Sequence, residues 1–402
     1  MTIREVAGGV TTPAGFRVAG ISAGIKASGA PDLALIVPDQ PASAAALFTT
    51  NQVQAAPVTV SREHLAKSGG RVSAVLVNSG CANACTGTSG LAVARASAGR
   101  LASALGCPSE QVLVASTGVI GVGLKLEVVE TGIGRAIDAL SRDGHPAARA
   151  IMTTDLGPKE AAARIDTGDG SFSVGGMAKG AGMIEPMLAT MLAFVTTDAV
   201  VEPSILARAL GEAVATTFNA ITVDGECSTN DTIMALASGA SGVTVTESRN
   251  YPALVHGLTA VCRTLALMIV RGGEGATKLV SITVRGADSV ANARRVAKTI
   301  ANSPLVKTAV HGGDPNWGRL VAAAGRSGVP FAIDRALVRV GPVVLFKDGQ
   351  PYDDAAPQAA EYLRGTDIDI EINVGAGGAG EATVWTCDLS AEYVRINGEY
   401  RT

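Results

Sequence analysis

The segment 179–199, KGAGMIEPMLATMLAFVTTDA, sets one threonine, Thr190, between Met187-Leu188-Ala189 and Met191-Leu192-Ala193. A threonine in apolar company ordinarily spends its hydroxyl on a nearby carbonyl and does nothing more. The other role open to it is that of nucleophile, for which a hydroxyl needs an adjacent base. No histidine lies in the segment. The most economical base is then the threonine's own α-amino group, with a pKa of about 8 when free. That amine exists only if the Ala189–Thr190 peptide bond is cut. The chain can do this itself: Thr190 Oγ attacks the Ala189 carbonyl, the acyl group shifts from nitrogen to oxygen, and water hydrolyses the ester. A small alanine before the threonine lets the hydroxyl approach, and glycines upstream permit a strained turn.

The rest of the chain is built to house such chemistry. Its 402 residues suffice for roughly two or three domains, each with its own core. Apolar residues make up 47% but aromatics only 3%, with 48 glycines, so the cores are expected to pack small aliphatic side chains against glycine-lined backbone. That is an α/β enzyme composition rather than a disordered or fibrous one. A net charge of −3, with NARRVAK (292–298) as the densest basic stretch, argues against a nucleic-acid partner. The N-terminus has no apolar core of a signal peptide, and the longest apolar run, Thr264 to Val270, falls short of the roughly 20 residues of a membrane span. A cytoplasmic protein with no membrane partner is expected.

Six cysteines are scattered, and only Cys81 and Cys85 are close, as C-x3-C without a second pair or a histidine at zinc spacing. Buried reduced thiols and no metal site are expected. The four histidines, His64, His145, His256 and His311, are isolated. No Ser-His-Asp or Cys-His apparatus can be read from them.

Short β-branched runs at 72–78, 111–116, 279–286, 336–341 and 368–375 predict strands. Helical patterns fill 90–105, 126–142, 203–217, 252–270 and 287–302, with Glu202-Pro203 and Asp288-Ser289 as start signals. Strands and helices mix along the whole length, which predicts an α/β fold of layered sheets covered by helices. Glycine clusters at 116–123, 175–182, 271–278, 311–319 and 375–382 mark loops where backbone can approach a ligand. None has a phosphate-loop or dinucleotide spacing.

Eight stretches together carry a family resemblance: KGAGMIEPMLATML, ASTGVIG (115–121), NSGCANACTG (78–87), IMTTDLGPK (151–159), VDGECSTNDT (223–232), GGEGATK (272–278), GDPNWGR (313–319) and YVRINGEYRT (393–402). In this order, over essentially the whole chain, they resemble the ArgJ-type ornithine acetyltransferases, the bifunctional arginine biosynthesis proteins. The resemblance implies an ArgJ/DmpA-like self-processing fold, cut into an α chain of residues 1–189 and a β chain of 190–402, assembled as an α2β2 heterotetramer. It implies acetyl transfer from N2-acetyl-L-ornithine to L-glutamate, without a cofactor, and with acetyl-CoA as a second donor in some members. By motif match Thr190 is the nucleophile, and Thr117 and Gly118 supply the oxyanion hole. Thr153, Lys179, Thr190, Glu274, Asn397 and Thr402 fall on substrate-binding positions. Cys81 departs from an expected Asn, and Glu226-Cys227 from an Asp-Thr pair.

The residue types suit these roles. Donors at a glycine-rich turn can be aimed at a developing oxyanion, a contribution of about 3 kcal/mol. Amino-acid substrates call for a cation and an anion, which Lys179 and Glu274 provide, although an isolated Lys or Glu is usually only solvated surface. Asn397 and Thr402 require an ordered tail, since termini generally fray. The GDPNWGR stretch, with Trp317, reads as structural or interface-forming. A self-processed N-terminal-threonine aminopeptidase or amidase would use the same machinery and release the acyl group to water. An uncleaved interaction protein with Thr190 as a core hydroxyl is the third reading.

Overall fold

The computed structural model describes residues 1–185 and 191–399. The chain forms two compact units, one of residues 1–219 with 226–269, the other of 220–225 with 270 onward.

In the first unit a seven-stranded sheet runs in the order β1 (Thr2–Val6), β8 (Lys159–Thr167), β9 (Gly170–Lys179), β10 (Leu192–Thr197), β12 (Thr232–Ala237), β4 (Ala42–Phe48), β5 (Arg71–Val72). A four-stranded sheet has the order β2 (Phe16–Ile21), β3 (Leu33–Pro38), β6 (Ala74–Cys81), β7 (Val112–Val119), and β11 (Val200–Val201) pairs with β13 (Thr244–Val245). Alternation of side chains along the strands fixes the stacking. Ile36, Val75, Val77 and Leu113 point to one face of the smaller sheet, where they cluster with Met177, Phe194, Met234 and Leu236 of the larger sheet. The short helix α4 (His145–Ala150) joins this core. The alternate residues Leu33, Leu35, Leu76, Val112 and Val114 face α1 (Ala56–Lys67), α2 (Gly87–Leu105) and α3 (Leu126–Asp138).

On the outer face of the larger sheet, α5 (Pro203–Ala215) covers β4 and β12. There α6 (Tyr251–Arg271) lies on β8 and β9, with Gly257 against Ile165 and Val174. The result is a helix–sheet–sheet–helix sandwich, so the α/β expectation of layered sheets covered by helices holds. By length and composition α6 is apolar enough to cross a bilayer, although it holds no uninterrupted apolar run of that length. Its Leu254, Leu258, Val261, Leu265 and Ile269 are instead core residues of this unit.

The second unit has a six-stranded sheet in the order β17 (Gln350–Pro351), β16 (Val343–Lys347), β15 (Leu337–Val340), β18 (Asp367–Asn373), β14 (Leu279–Ala287), β19 (Gly380–Cys387). One face is apolar: Val280, Ile282 and Val284 of β14 and Ile368, Ile370 and Ile372 of β18 bury against α7 (Val290–Ala301), α8 (Pro304–Gly312), α9 (Trp317–Gly325) and α10 (Ala356–Tyr362). The other face is polar, with Thr283 bonded to Thr383 at 2.9 Å and Arg285 bridging Glu371 and Glu381. α11 (Ala391–Glu399) follows β19. The Ser289 hydroxyl caps α7 by accepting from Asn292 N at 3.2 Å, as its start signal predicted.

Two of the glycine clusters singled out as possible chemistry serve packing. A Cβ at Gly378 would come within 2.0 Å of the Ala287 carbonyl oxygen, so the 375–382 loop owes its glycines to a backbone crossing. In the 311–319 loop Gly313 ends α8 in the left-handed region, and Trp317 stacks on Phe346 with ring centroids 4.9 Å apart. That is the structural role expected of GDPNWGR.

Candidate active site

The sequence-predicted residues fall into one group in each unit. In the first, Thr117 and Gly118 lie near the end of β7 beside Gly80 and Cys81 of β6, where the register shifts. Gly118 has φ +122°, and a Cβ there would lie 2.5 Å from the Gly80 carbonyl carbon, so the position admits only glycine. Side chains lock this corner. Ser116 Oγ donates to Asn78 Oδ1 at 2.5 Å, and Asn230 Nδ2 donates to the carbonyls of Ala82 (2.6 Å) and Ser116 (2.8 Å). The VDGECSTNDT motif thereby acquires a physical purpose in its Asn230.

Lys179, the last residue of β9, is buried, and its Nζ lies 3.2 Å from Thr117 Oγ1. An ammonium only donates, so the Thr117 hydroxyl accepts here and keeps its single proton for another acceptor. Across the β9–β10 ladder Lys179 pairs with Leu192. The expected cleavage residues Ala189 and Thr190 stand just upstream in sequence and lie outside the described residues.

Thr153 is joined to this group through a residue that the sequence reading missed. Its N–H donates to Asp155 Oδ2 at 3.0 Å, while Asp155 Oδ1 accepts from Gly180 N at 2.7 Å and from the Lys159 ammonium. Burial alone would push this carboxyl up, but Lys179, Lys159 and the hydrogen bonds outweigh it and hold the pKa down at about 2. The segment leading to Thr153 is fastened twice more. Lys26 Nζ donates to Met152 O at 2.8 Å, and Ser79 Oγ donates to Ala150 O at 2.6 Å. Burial lowers the Lys26 pKa, opposed by Asp32 and Asp155 and reinforced by Lys179. Lys26 carries no linear signal; Asp155 stands in the IMTTDLGPK stretch (151–159), where nothing sets it apart from its neighbours.

In the second unit Glu274 is 8% exposed and accepts from Asn397 Nδ2 at 2.8 Å. This loop is pinned to the chain's last segment. Ser390 Oγ donates to Gly275 O at 2.7 Å, and Asp388 accepts from Thr277 N (2.7 Å), Thr277 Oγ1 (2.5 Å), Lys278 N (2.9 Å) and His311 Nδ1 (2.7 Å). Burial opposes the ionised form of Asp388, yet these bonds keep its pKa below the usual carboxylate value. A Cβ on Gly275 would sit 2.5 Å from Tyr393 N, so the glycine lets the loop meet the tail. The tail is therefore ordered through Glu399, as a role for Asn397 requires; Thr402 lies outside the described residues.

The expectation of buried thiols fails at Cys85, which is exposed in a left-handed turn (φ +57°) ahead of α2. Cys107 and Cys227 are half-buried, whereas Cys81, Cys262 and Cys387 are buried. Burial pushes the Cys262 thiol up to about 12.

Comparison with known proteins shows the family. A model of the ArgJ family matches residues 17–402. The arginine biosynthesis bifunctional protein ArgJ of Synechococcus sp. is 52% identical, with 99% of each chain covered. That of Parasynechococcus marenigrum is 48% identical over 99% of this chain and 96% of its own. Among solved structures, the arginine biosynthesis bifunctional protein ArgJ of Bacillus halodurans is 41% identical, with 52% of this chain covering 100% of that one at a TM-score of 0.51. Coverage from end to end at such identity means that the chain belongs to the ArgJ family.

Proposed function

We propose that this chain is a self-processing glutamate N-acetyltransferase that moves acetyl from N2-acetyl-L-ornithine to L-glutamate in arginine biosynthesis. The observation that carries the reading is the half-buried contact of Lys179 with Thr117 beside Gly118, at the end of β9 that pairs with the start of β10. In this cycle the freed Thr190 amine takes the proton of its own hydroxyl, and Oγ attacks the acetyl carbonyl. Thr117 and Gly118 donate to the oxyanion, ornithine leaves with the proton, and an acetyl ester remains on Thr190. The amine of glutamate then attacks that ester, N-acetylglutamate departs, and the hydroxyl is restored. Thr153, Lys179, Glu274, Asn397 and Thr402 bind the two amino acids.

An amide is exchanged for a similar amide, so the cycle needs no metal, nucleotide or other cofactor. Acetyl-CoA enters as an alternative donor to the same threonine. The reading has α (1–189) and β (190–402) chains in a cytoplasmic α2β2 assembly. In its favour, the Bacillus halodurans chain is matched in full by 52% of this one, the proportion expected of one product of a cut near the middle.

Denaturing intact-mass spectrometry of the wild type beside Thr190→Ala tests the processing, and acetyl transfer to glutamate tests the activity. Two fragments meeting at Ala189 and Thr190, an uncut variant and acetylglutamate formed from acetylornithine are expected. An uncut, folded wild type would remove the base and sink the mechanism. Processed protein that releases acetate to water in preference to glutamate would make it an amidase.

A further inference from the structure

We propose that Asp155 is a positioning residue of the acyl-transfer site, the buried carboxylate that ties Thr153, Lys159 and the turn after Lys179 into one unit. The inference rests on the reading of this chain as a Thr190 acetyltransferase. A buried ion pair by itself is weak evidence of purpose, since its desolvation cost rivals its attraction. Asp155 does more than neutralise Lys159. Its two oxygens also accept the N–H groups of Thr153 and Gly180, residues on or next to two expected substrate-binding positions that lie far apart in sequence.

The charge matters as much as the bonds. Around the carboxylate stand three lysines: Lys159 of β8 and Lys179 of β9, and Lys26 from the segment before β3. Asp32, which also faces Lys26, is already occupied by four backbone N–H groups, those of Ala23, Gly24, Ile25 and Lys26. Without Asp155 the turn after Lys179 would lose the acceptor that holds its Gly180 N–H, and the Lys179 ammonium would lose its fixed aim at Thr117.

The test compares wild type, Asp155→Asn/Lys159→Met, Asp155→Glu and Thr190→Ala. Each is followed by intact mass and by kcat and KM for acetyl transfer in the processed fraction. The double variant removes the counter-ion together with the carboxylate, so no unpaired buried lysine is left at 159. It is expected to melt cooperatively and to fall in kcat/KM roughly tenfold or more, with most of the loss in kcat. Asp155→Glu keeps the charge and shifts its place, so kcat should fall while the melting transition stays cooperative. A double variant with wild-type kcat/KM would reduce Asp155 to a mere partner of Lys159. Should the double variant fail to fold, Asp155→Glu decides: an undiminished kcat overturns the proposal. A wild type that is cut but transfers no acetyl would defeat the acetyltransferase reading itself, a separate result.

Discussion

Gly118 and Asp155 show how far single residues determine this site. Gly118→Ala would force a side chain into φ +122° and against the Gly80 backbone, at a cost on the order of 3 kcal/mol. A lowered melting temperature and loss of acetyl transfer are expected, checked by calorimetry and a transfer assay. Asp155 makes an opposite kind of contribution, dependent on charge. Its folded pKa of about 2 lies below the ordinary 3.8 of a free aspartate, so its carboxylate stabilises the fold above pH 4 and that share is lost as pH falls towards 2. The shift corresponds to about 2 kcal/mol. Urea midpoints of wild type and Asp155→Asn should therefore differ at pH 5 and converge as the pH is lowered to 2. A gap that stayed constant would mean that the carboxylate is not ionised in the fold. The glycine was visible in the sequence as part of ASTGVIG. The aspartate stood in IMTTDLGPK, but its role was not legible, because its Gly180 partner arrives only when β8 and β9 pair.

At the scale of elements the sequence was legible wherever one face is wet or one periodicity is clean. The runs at 111–116 and 279–286 became β7 and β14, and those at 126–142 and 203–217 became α3 and α5, each within a few residues. The strands next to the expected cut were harder to read. β10 and β12 are buried on both faces, so LAFVTT and TIMALA show no alternation. β8, KEAAARIDT, is alanine-rich, a composition that strands seldom use. The loop of Glu274 was recognisable as a motif, but its tether was not, since Asp388 lies 111 residues from Thr277. Asp388→Ala strips four donors of their acceptor and should destabilise its unit by about 3 kcal/mol. With Glu274 no longer held, KM should rise several-fold while the cut at Thr190, in the other unit, proceeds as before. Paired KM and intact-mass measurements check this; unchanged KM would show that the tether is dispensable.

For the whole molecule, the proposed cut falls inside the first unit and not between units, and β9 and β10 on either side of it pair along six residues. The strands interleave further, with β12 from the later part of the chain seated between β10 and β4. Among the described residues all six cysteines are free, so no disulfide holds the two pieces together. Processed wild type should accordingly elute from a sizing column with both fragments in one peak and separate only in denaturant. Separation without denaturant would contradict the ladder.

Such a sheet makes folding an unrepeatable event. As one chain, the strands find each other at a rate independent of dilution. Once cut, a molecule that unravels can regain its sheet only by meeting its other half in solution, against a concentration penalty that the newborn chain never faced. Heat damage that an intact chain would heal becomes permanent in a dilute solution, and the lifetime of the processed enzyme is set by how slowly it opens.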